Sequence, residues 1–277
     1  MSLPYAEVIG DPIAQSKSPR IHGFWLQLLG IEAEYRAMHV RPADLADYLA
    51  QRRSDPDWRG CNATIPHKEA LLPLLDRIDE RARGVGAVNT VYRDAAGRLC
   101  GTNTDVDGIG EAIAGVTLDG RPATVIGAGG AARAAFALLA AKPCSHVRVL
   151  ARTHDKALRA ARECGLDAEI LPFTAGSGAF DGSALVINAT QLGMQGQDPM
   201  PGFVLGELDA MAQGGLVFDM VYAPLETALL AKARALGRQT SDGLVMLVGQ
   251  AATAFEHFFA KQPPRDRDPE LRRILTA

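Results

Sequence analysis

One lysine and one aspartate stand out for the company they keep. Lys68 closes the run Asn62-Ala63-Thr64-Ile65-Pro66-His67-Lys68. Asp105 closes Gly101-Thr102-Asn103-Thr104-Asp105, shortly after Gly86-Ala87-Val88-Asn89-Thr90. These segments hold too many amides and hydroxyls for ordinary core and too little charge for ordinary surface. They suit a small, heavily hydroxylated molecule with an ammonium and a carboxylate at its reactive end. An ammonium near a carbonyl oxygen stabilises the charge that develops there as hydride reaches the carbon, and then gives up its proton. Downstream, Val125-Ile126-Gly127-Ala128-Gly129-Gly130-Ala131 follows an apolar stretch and opens a helical one. In that setting glycines let the backbone approach a pyrophosphate that rests on a helix N-terminus. Together these features point to hydride transfer between a dinucleotide and a polyol.

The end of the next strand bears on which dinucleotide. An NAD site usually places an acid about 20 residues past the glycines, on the ribose 2′-OH. Here that region reads Ala151-Arg152-Thr153-His154-Asp155-Lys156, with no acid at the strand end. Arg152 and Lys156 offer donors to a 2′-phosphate, and the planar fork of arginine suits phosphate. Cations at a helix N-terminus oppose the helix dipole unless an anion joins them. NADP is therefore expected over NAD, and a methyltransferase that needs a ribose-binding acid is disfavoured.

The elements that must position these residues follow from periodicity. Strands are expected at Tyr5–Gly10, 34–40 and 59–64, with helices at Ile21–Leu29, 43–52 and 68–75. The turn Asp94-Ala95-Ala96-Gly97 should join strands 88–93 and 99–101 as a hairpin. From 104 to 240 the pattern changes to short buried strands at 124–126, 147–151, 168–171, 185–188 and 216–220. A helix at 131–141 separates the first two. Strands alternating with helices imply a parallel sheet with right-handed crossovers. The fold class expected is α/β with two α/β domains around a cleft. A substrate domain with a mixed, mainly parallel sheet spans 1–103 plus 241–277, and a Rossmann-like NADP-binding domain spans 104–240. The apolar helix 243–259 should return the chain to the first domain.

The bulk properties agree with this picture. The chain has 277 residues, 47% hydrophobic and 22% charged, and 29 basic against 32 acidic residues give a net charge of −3. No basic stripe suggests nucleic acid. The arginines near 265–273 alternate with acids and read as a solvated helix or tail. Cys61, Cys100, Cys144 and Cys164 show no metal or redox spacing, so reduced thiols in the cytoplasm, and no metal, are expected. No signal peptide is visible, and no apolar run reaches the ~18 residues of a membrane span. A monomer or homodimer is expected.

In order along the chain stand Gly10-Asp11-Pro12-Ile13 with Ser16-Lys17-Ser18-Pro19, Asn62 to Lys68, Gly86 to Thr90, Asn103-Thr104-Asp105 and Gly127 to Ala131. Asn188-Ala189-Thr190, Asp219-Met220-Val221-Tyr222 and Asp242-Gly243-Leu244 to Gln250 follow. In these motifs the chain closely resembles the NADP-dependent shikimate dehydrogenases, which reduce 3-dehydroshikimate to shikimate. The resemblance implies that Lys68 is the proton-transfer residue, and that Asp105 orients it and bonds a ring hydroxyl. It implies that Ser16 and Ser18 hold the substrate carboxylate, with Ser18 also a candidate helix cap before Pro19. Asn62, Thr64, Asn89 and Gln250 would contact ring hydroxyls, and Tyr222 would reach the substrate from the cofactor domain. Gly127, Ala128, Gly129, Gly130, Ala131, Ala151, Arg152, Thr153 and Lys156 would hold the cofactor. Met220 and Gly243 would line the nicotinamide pocket, and Glu80 would lie near the cofactor. His67 is read as structural.

Three departures bear on the cofactor side. The family commonly has asparagine at Ala151, a Ser or Thr pair at Gln191-Leu192, and glycine at Val245. Two rival readings remain open. One is a quinate/shikimate dehydrogenase that uses NAD or both cofactors. The other is a non-catalytic dinucleotide-binding regulator, which has no use for both Lys68 and Asp105. A hydrolase at Ser16-Lys17 lacks the accompanying constellation.

Overall fold

The computed structural model describes residues 2–277. The chain forms two compact units, 1–104 with 250–277, and 105–249. In the first, β1 (Tyr5–Gly10), α1 (Ser18–Leu29), β2 (Glu34–His39), α2 (Leu45–Arg53) and β3 (Trp58–Ala63) alternate. The short β4 (Arg77–Ile78), α3 (Glu80–Val85) and the hairpin β5 (Thr90–Arg93) and β6 (Leu99–Thr102) follow. The sheet order is β2-β1-β3-β5-β6-β4. β1 pairs in parallel with β2 and β3, and β4 with β6, while β5 is antiparallel to both neighbours. Its register sets Asn62 opposite Thr90 and Thr90 opposite Thr102. One strand position thus becomes a polar row across three strands.

The hairpin turn is closed as its sequence demands. Gly97 adopts φ 79°, and the Asp94 carboxylate accepts from the Ala96 and Arg98 amides. Around the sheet, Trp58, Ile9, Leu71, Val88, Val91 and Leu99 are buried in one cluster. The fully buried Glu7 carboxylate is satisfied by the Tyr48 hydroxyl at 2.7 Å and Arg52 at 2.8 and 3.1 Å. An isolated carboxylate at that depth would be costly, so the pair is needed for it to be there at all.

The second unit begins with α4 (Asp105–Ala112), β7 (Ala123–Ile126), α5 (Gly130–Ala140), β8 (Val147–Ala151), α6 (His154–Glu163) and β9 (Ala168–Pro172). It continues with β10 (Leu185–Asn188), α7 (Gly202–Glu207), β11 (Leu216–Asp219), α8 (Ala228–Ala235) and β12 (Gln239–Ser241). All five strand pairs are parallel, in the order β12-β11-β10-β7-β8-β9. Counted within the unit this is 3-2-1-4-5-6, the doubly wound Rossmann order, whose strand order reverses between β7 and β10. The central strands β7, β10 and β11 are buried end to end, as a sheet covered on both faces requires.

The chain then runs through α9 (Gly243–Phe259) to α10 (Asp268–Thr276). The units change over at 250, inside α9, rather than at the expected 241. The first turns of α9 stay with the second unit because Gly249 lies against α4. A β-carbon there would stand 3.1 Å from the Gly108 α-carbon. Of the expected solvated helix or tail the C-terminus forms the helix, with Arg267, Arg272 and Arg273 exposed, but its other face is docked: α10 buries Leu271 and Leu275, and the Lys17 ammonium donates to the Leu275 carbonyl. The helix expected over 68–75 is also absent. That stretch is a chain of turns ending in a 3-10 turn at Leu72–Leu74. Pro73 has no amide hydrogen, so an α-helical bond back to Glu69 is impossible. The two short strands β4 and β12 carried too few residues to show a period.

Candidate active site

In the first unit the polar row of the sheet becomes a closed network. The Tyr35 hydroxyl donates to Asn62 Oδ1 at 2.6 Å. Asn62 Nδ2 donates to Thr90 Oγ1 at 2.9 Å and faces the Asn89 carbonyl at 3.4 Å. A carbonyl only accepts, so this fixes which end of the amide is nitrogen. Asn89 Oδ1 accepts from the Thr104 amide at 2.7 Å and the Thr90 hydroxyl at 2.9 Å. Asn89 Nδ2 reaches Thr104 Oγ1 at 3.1 Å, and Thr104 Oγ1 in turn lies 3.4 Å from Gln250 Oε1. All of these side chains are buried. The amides of Asn62, Asn89 and Gln250 are thus brought together, with Asn62 committed to the scaffold on both of its ends.

Lys68 is tied to the same place through its backbone: its carbonyl accepts the Val88 amide at 2.8 Å. That bond sets the lysine turn beside Asn89. His67 is buried with Nε2 2.8 Å from the Val40 carbonyl, so this nitrogen carries the proton and the ring pins the turn. Thr64 enters the turn by donating its amide to the Ile9 carbonyl at 2.9 Å. Its methyl fills the space beside Gly10, where a β-carbon would come within 2.6 Å of it. Ser16 and Ser18 stand at the start of α1. Ser18 is buried at its first turn and does not cap it; Lys17 is the N-cap residue, with no side-chain cap, and Ser16 Oγ takes the Ser18 amide at 3.3 Å. The backbone of this start is bonded back to Ile13 and Lys17 carbonyls.

In the second unit a cavity of about 320 Å³ opens at the ends of β7, β8 and β10. Gly127, Ala128, Gly129, Ala151, Arg152, Thr153 and Lys156 all line it. Gly127 has φ 97°, and a β-carbon on it would meet the Thr190 methyl at 2.6 Å. Only glycine allows both the turn and the approach. Gly130 and Ala131 lie just behind, as the first residues of α5. Thr190 and Leu192, on the far rim, are braced from below. Asn188 Oδ1 accepts the Thr190 hydroxyl at 2.6 Å, and Asn188 Nδ2 donates to Asp219 at 2.9 Å. Burial pushes the Asp219 carboxyl upward, and bonds from Thr227, the Val221 amide and Asn188 act against that push.

The chemistry of this cavity fits a phosphorylated dinucleotide. The glycine loop leads into the N-terminus of α5, where amide hydrogens and the helix dipole favour an anion. Arg152 and Lys156 are exposed, and neither makes an ion pair or hydrogen bond among the described residues. Sequence reasoning did not single out Phe173, Gln197 and Asp198, which also line the cavity. Nothing in their spacing marks them, because each comes from a loop brought in by the sheet order.

The remaining residues lie elsewhere. Gly243 is buried where a β-carbon would be 2.2 Å from the Met220 carbonyl, so glycine lets the start of α9 pass over that strand end. Neither residue borders the cavity. Tyr222 is partly buried, and burial raises its phenol. Asp105 is buried as the first residue of α4. Glu80 is exposed in the first turn of α3, where the dipole favours an acid, and is absent from the cavity lining. No cluster of metal-ligating side chains occurs among the described residues, and no helix there is long and apolar enough to cross a membrane.

Residues 8–91 match the shikimate dehydrogenase substrate binding domain, and residues 109–193 match the shikimate / quinate 5-dehydrogenase family. The shikimate dehydrogenase (NADP(+)) of Sphingopyxis alaskensis is 48% identical over 274 residues, covering 99% of this chain and 97% of that one. That of Paracoccus denitrificans is 40% identical, covering 99% and 96%. Among solved structures, shikimate 5-dehydrogenase from Thermus thermophilus in complex with NADP(H) and shikimate has a TM-score of 0.83 at 37% identity. It covers 98% of this chain and 99% of its own. The ligand-free 5-ketofructose reductase of Gluconobacter sp. has a TM-score of 0.87 at 29% identity, covering 99% of both. With 48% identity to an NADP(+) shikimate dehydrogenase along almost its whole length, the chain belongs to the shikimate dehydrogenase family.

Proposed function

We propose that this chain catalyses the reversible NADPH-dependent reduction of 3-dehydroshikimate to shikimate, a step toward aromatic amino acid precursors. The observation that carries the reading is the conjunction, in one family member, of a buried amide network beside Lys68 and a glycine-loop cavity rimmed by two unpaired cations. Fold alone would not choose the substrate, since a 5-ketofructose reductase shares it. The 48% identity to an NADP(+) shikimate dehydrogenase makes the choice.

NADPH, when bound, supplies the hydride. Gly127, Ala128, Gly129, Gly130 and Ala131 would hold its pyrophosphate, and Arg152, Thr153 and Lys156 its 2′-phosphate end beside Ala151. Met220 and Gly243 would border the nicotinamide, and Glu80 is a further cofactor-side candidate. Lys68 holds the proton that the reduced carbonyl oxygen takes, and its positive charge stabilises that oxygen as it becomes alkoxide-like. Asp105 is the second catalytic group, an acceptor for a ring hydroxyl. Asn89, Gln250 and Thr64 meet the remaining hydroxyls, with Asn62 and Tyr222 completing the substrate set. Buried amides matched to hydroxyls reject analogues that lack them. Ser16 and Ser18 take the carboxylate. We place the enzyme in the cytoplasm, as a monomer or homodimer; its four free thiols suit a reducing compartment.

The test is absorbance at the reduced-nicotinamide band, with shikimate or quinate and NADP or NAD in all four pairings. Rapid reduction with shikimate and NADP is the expected result. A preference for quinate or NAD would move the chain to the quinate-type enzymes, and silence in every mixture would leave only dinucleotide binding.

A further inference from the structure

We infer that Phe173 is a positioning residue for cofactor choice: it holds the Arg152 guanidinium at the cavity and so sets the preference for a 2′-phosphorylated dinucleotide. The inference rests on the assignment of Arg152 to that phosphate. Register puts the two residues together. β8 pairs with β9 in parallel, with Ala151 opposite Pro172 as their last residues, so the residues that leave the two strands are Arg152 and Phe173. The guanidinium carbon lies 5.5 Å from the centre of the Phe173 ring, within cation–π range. Both residues line the cavity.

The ring is itself held. Phe203 of α7 meets it edge to face, with centroids 5.3 Å apart and planes at 77°. Both phenylalanines pack against the core cluster that includes Val204 and Leu208. A rigid aromatic face is thereby presented to a side chain that otherwise has no partner among the described residues. Other arginines of the same unit are held differently. Arg133 pairs with Glu163 at 2.9 Å, and Arg148 lies 3.7 Å from Glu169 and donates to the Asp181 carbonyl at 2.8 Å. Such partners occupy donors or cancel charge. An arginine meant for a phosphate dianion needs an open edge of its N–H fork and its full charge. A ring face restricts the side chain while leaving both untouched. Discrimination against a cofactor that lacks the phosphate then depends on Phe173, although the ring makes no polar contact of its own.

The test compares Phe173→Leu, which keeps apolar volume but loses the π face, with Phe173→Tyr, which keeps both, and with Arg152→Ala. KM and kcat for NADP and for NAD are measured on each intact protein with saturating shikimate. Phe173→Leu should raise KM for NADP roughly two- to fivefold, the range of one exposed cation–π contact. KM for NAD and kcat should stay put, and Phe173→Tyr should behave as the parent. In the double variant, Phe173→Leu should add nothing to Arg152→Ala, because the ring acts only through that arginine. If Arg152→Ala erases the NADP preference but Phe173→Leu does not, the positioning role is overturned and the phosphate assignment stands. If Arg152→Ala also leaves the preference intact, the assignment itself falls. A parallel rise of both KM values in Phe173→Leu would make the ring a wall of the cavity and would likewise overturn the proposal.

Discussion

The polar side chains of the first unit are bonded to one another, whereas the cations that rim the cavity of the second have no polar partner among the described residues. Tyr35, Asn62, Thr90, Asn89, Thr104 and Gln250 form one buried chain of donors and acceptors. Arg152 and Lys156 stand exposed at the edge of a loop that depends on glycine. The difference follows from what each must recognise. A ring with several hydroxyls is told from its analogues by fixed amides, and fixing an amide requires neighbours to bond it. A phosphate is found by charge, and a cation already paired would be a weaker lure.

The comparison breaks first, and by the largest margin, at Lys68. It is the one lysine or arginine in the Asn62-to-Lys68 segment, and it carries the proton in the proposed reaction. Lys68→Ala should lower kcat by about 10²–10⁴-fold, the usual worth of a positioned acid or base. NADP binding, measured by fluorescence titration, should be unchanged because the cavity lies wholly in residues 127–198. Equal loss of turnover and NADP affinity would mean that the two regions are not independent in this way.

The same contrast explains what the sequence disclosed. In the Rossmann half all strands but β12 and the helix after the glycine loop were legible, because strand, glycine loop and helix follow one another locally and each has its own period. The Arg152 and Lys156 cluster was visible for the same reason. Phe173, Gln197 and Asp198 were not, since only the sheet order brings them to the loop. In the substrate half, the amide-rich runs marked segments that share one hydrogen-bonded network, but not its wiring. That Asn62 is held by Tyr35, 27 positions away, depends on β2 lying two strands from β3. The helix expected at 68–75 failed on Pro73, whose missing amide outweighed the apolar spacing around it. The capping role expected of Ser18 is not filled by its side chain: Lys17 stands at the N-cap position without a side-chain cap, and Ser16 Oγ takes the Ser18 amide instead.

A smaller effect sharpens the view that the amide network depends on apolar packing beneath it. Tyr35, whose hydroxyl orients Asn62, is stacked on His22 with centroids 3.8 Å apart and planes within 2°. His22 is fully buried, and burial lowers its pKa from 6.5 to about 3. Unfolded, the ring takes a proton as pH falls below about 6.5; folded, it resists until about 3. The unfolded state therefore binds more protons across that window. Stability falls as pH falls through it, by up to ~1.4 kcal/mol per pH unit, and is flat above it. His22→Phe keeps a ring on Tyr35 and removes the titration. Urea unfolding at pH 7, 5 and 4 should give a shallower acid limb for the variant than for the parent. Parallel limbs would show that His22 is not the group responsible.

The smallest effect is the one that most directly separates the two halves. Exposed cations are screened by salt, while neutral hydrogen bonds in a buried network are not. Shikimate is an anion too, but its carboxylate is assigned to the hydroxyls of Ser16 and Ser18, which attract it without a net charge. Raising ionic strength from about 0.05 to 0.5 M shortens the screening length from beyond 10 Å to only a few. KM for NADP should then rise by roughly threefold, as expected for loss of under 1 kcal/mol of surface attraction. KM for shikimate should change much less. Arg152→Ala should flatten the NADP dependence and leave the shikimate curve as it was. If shikimate binding proves the more salt-sensitive of the two, long-range charge is at work on the substrate side as well. Lys68 would then recruit the substrate carboxylate in addition to holding the proton.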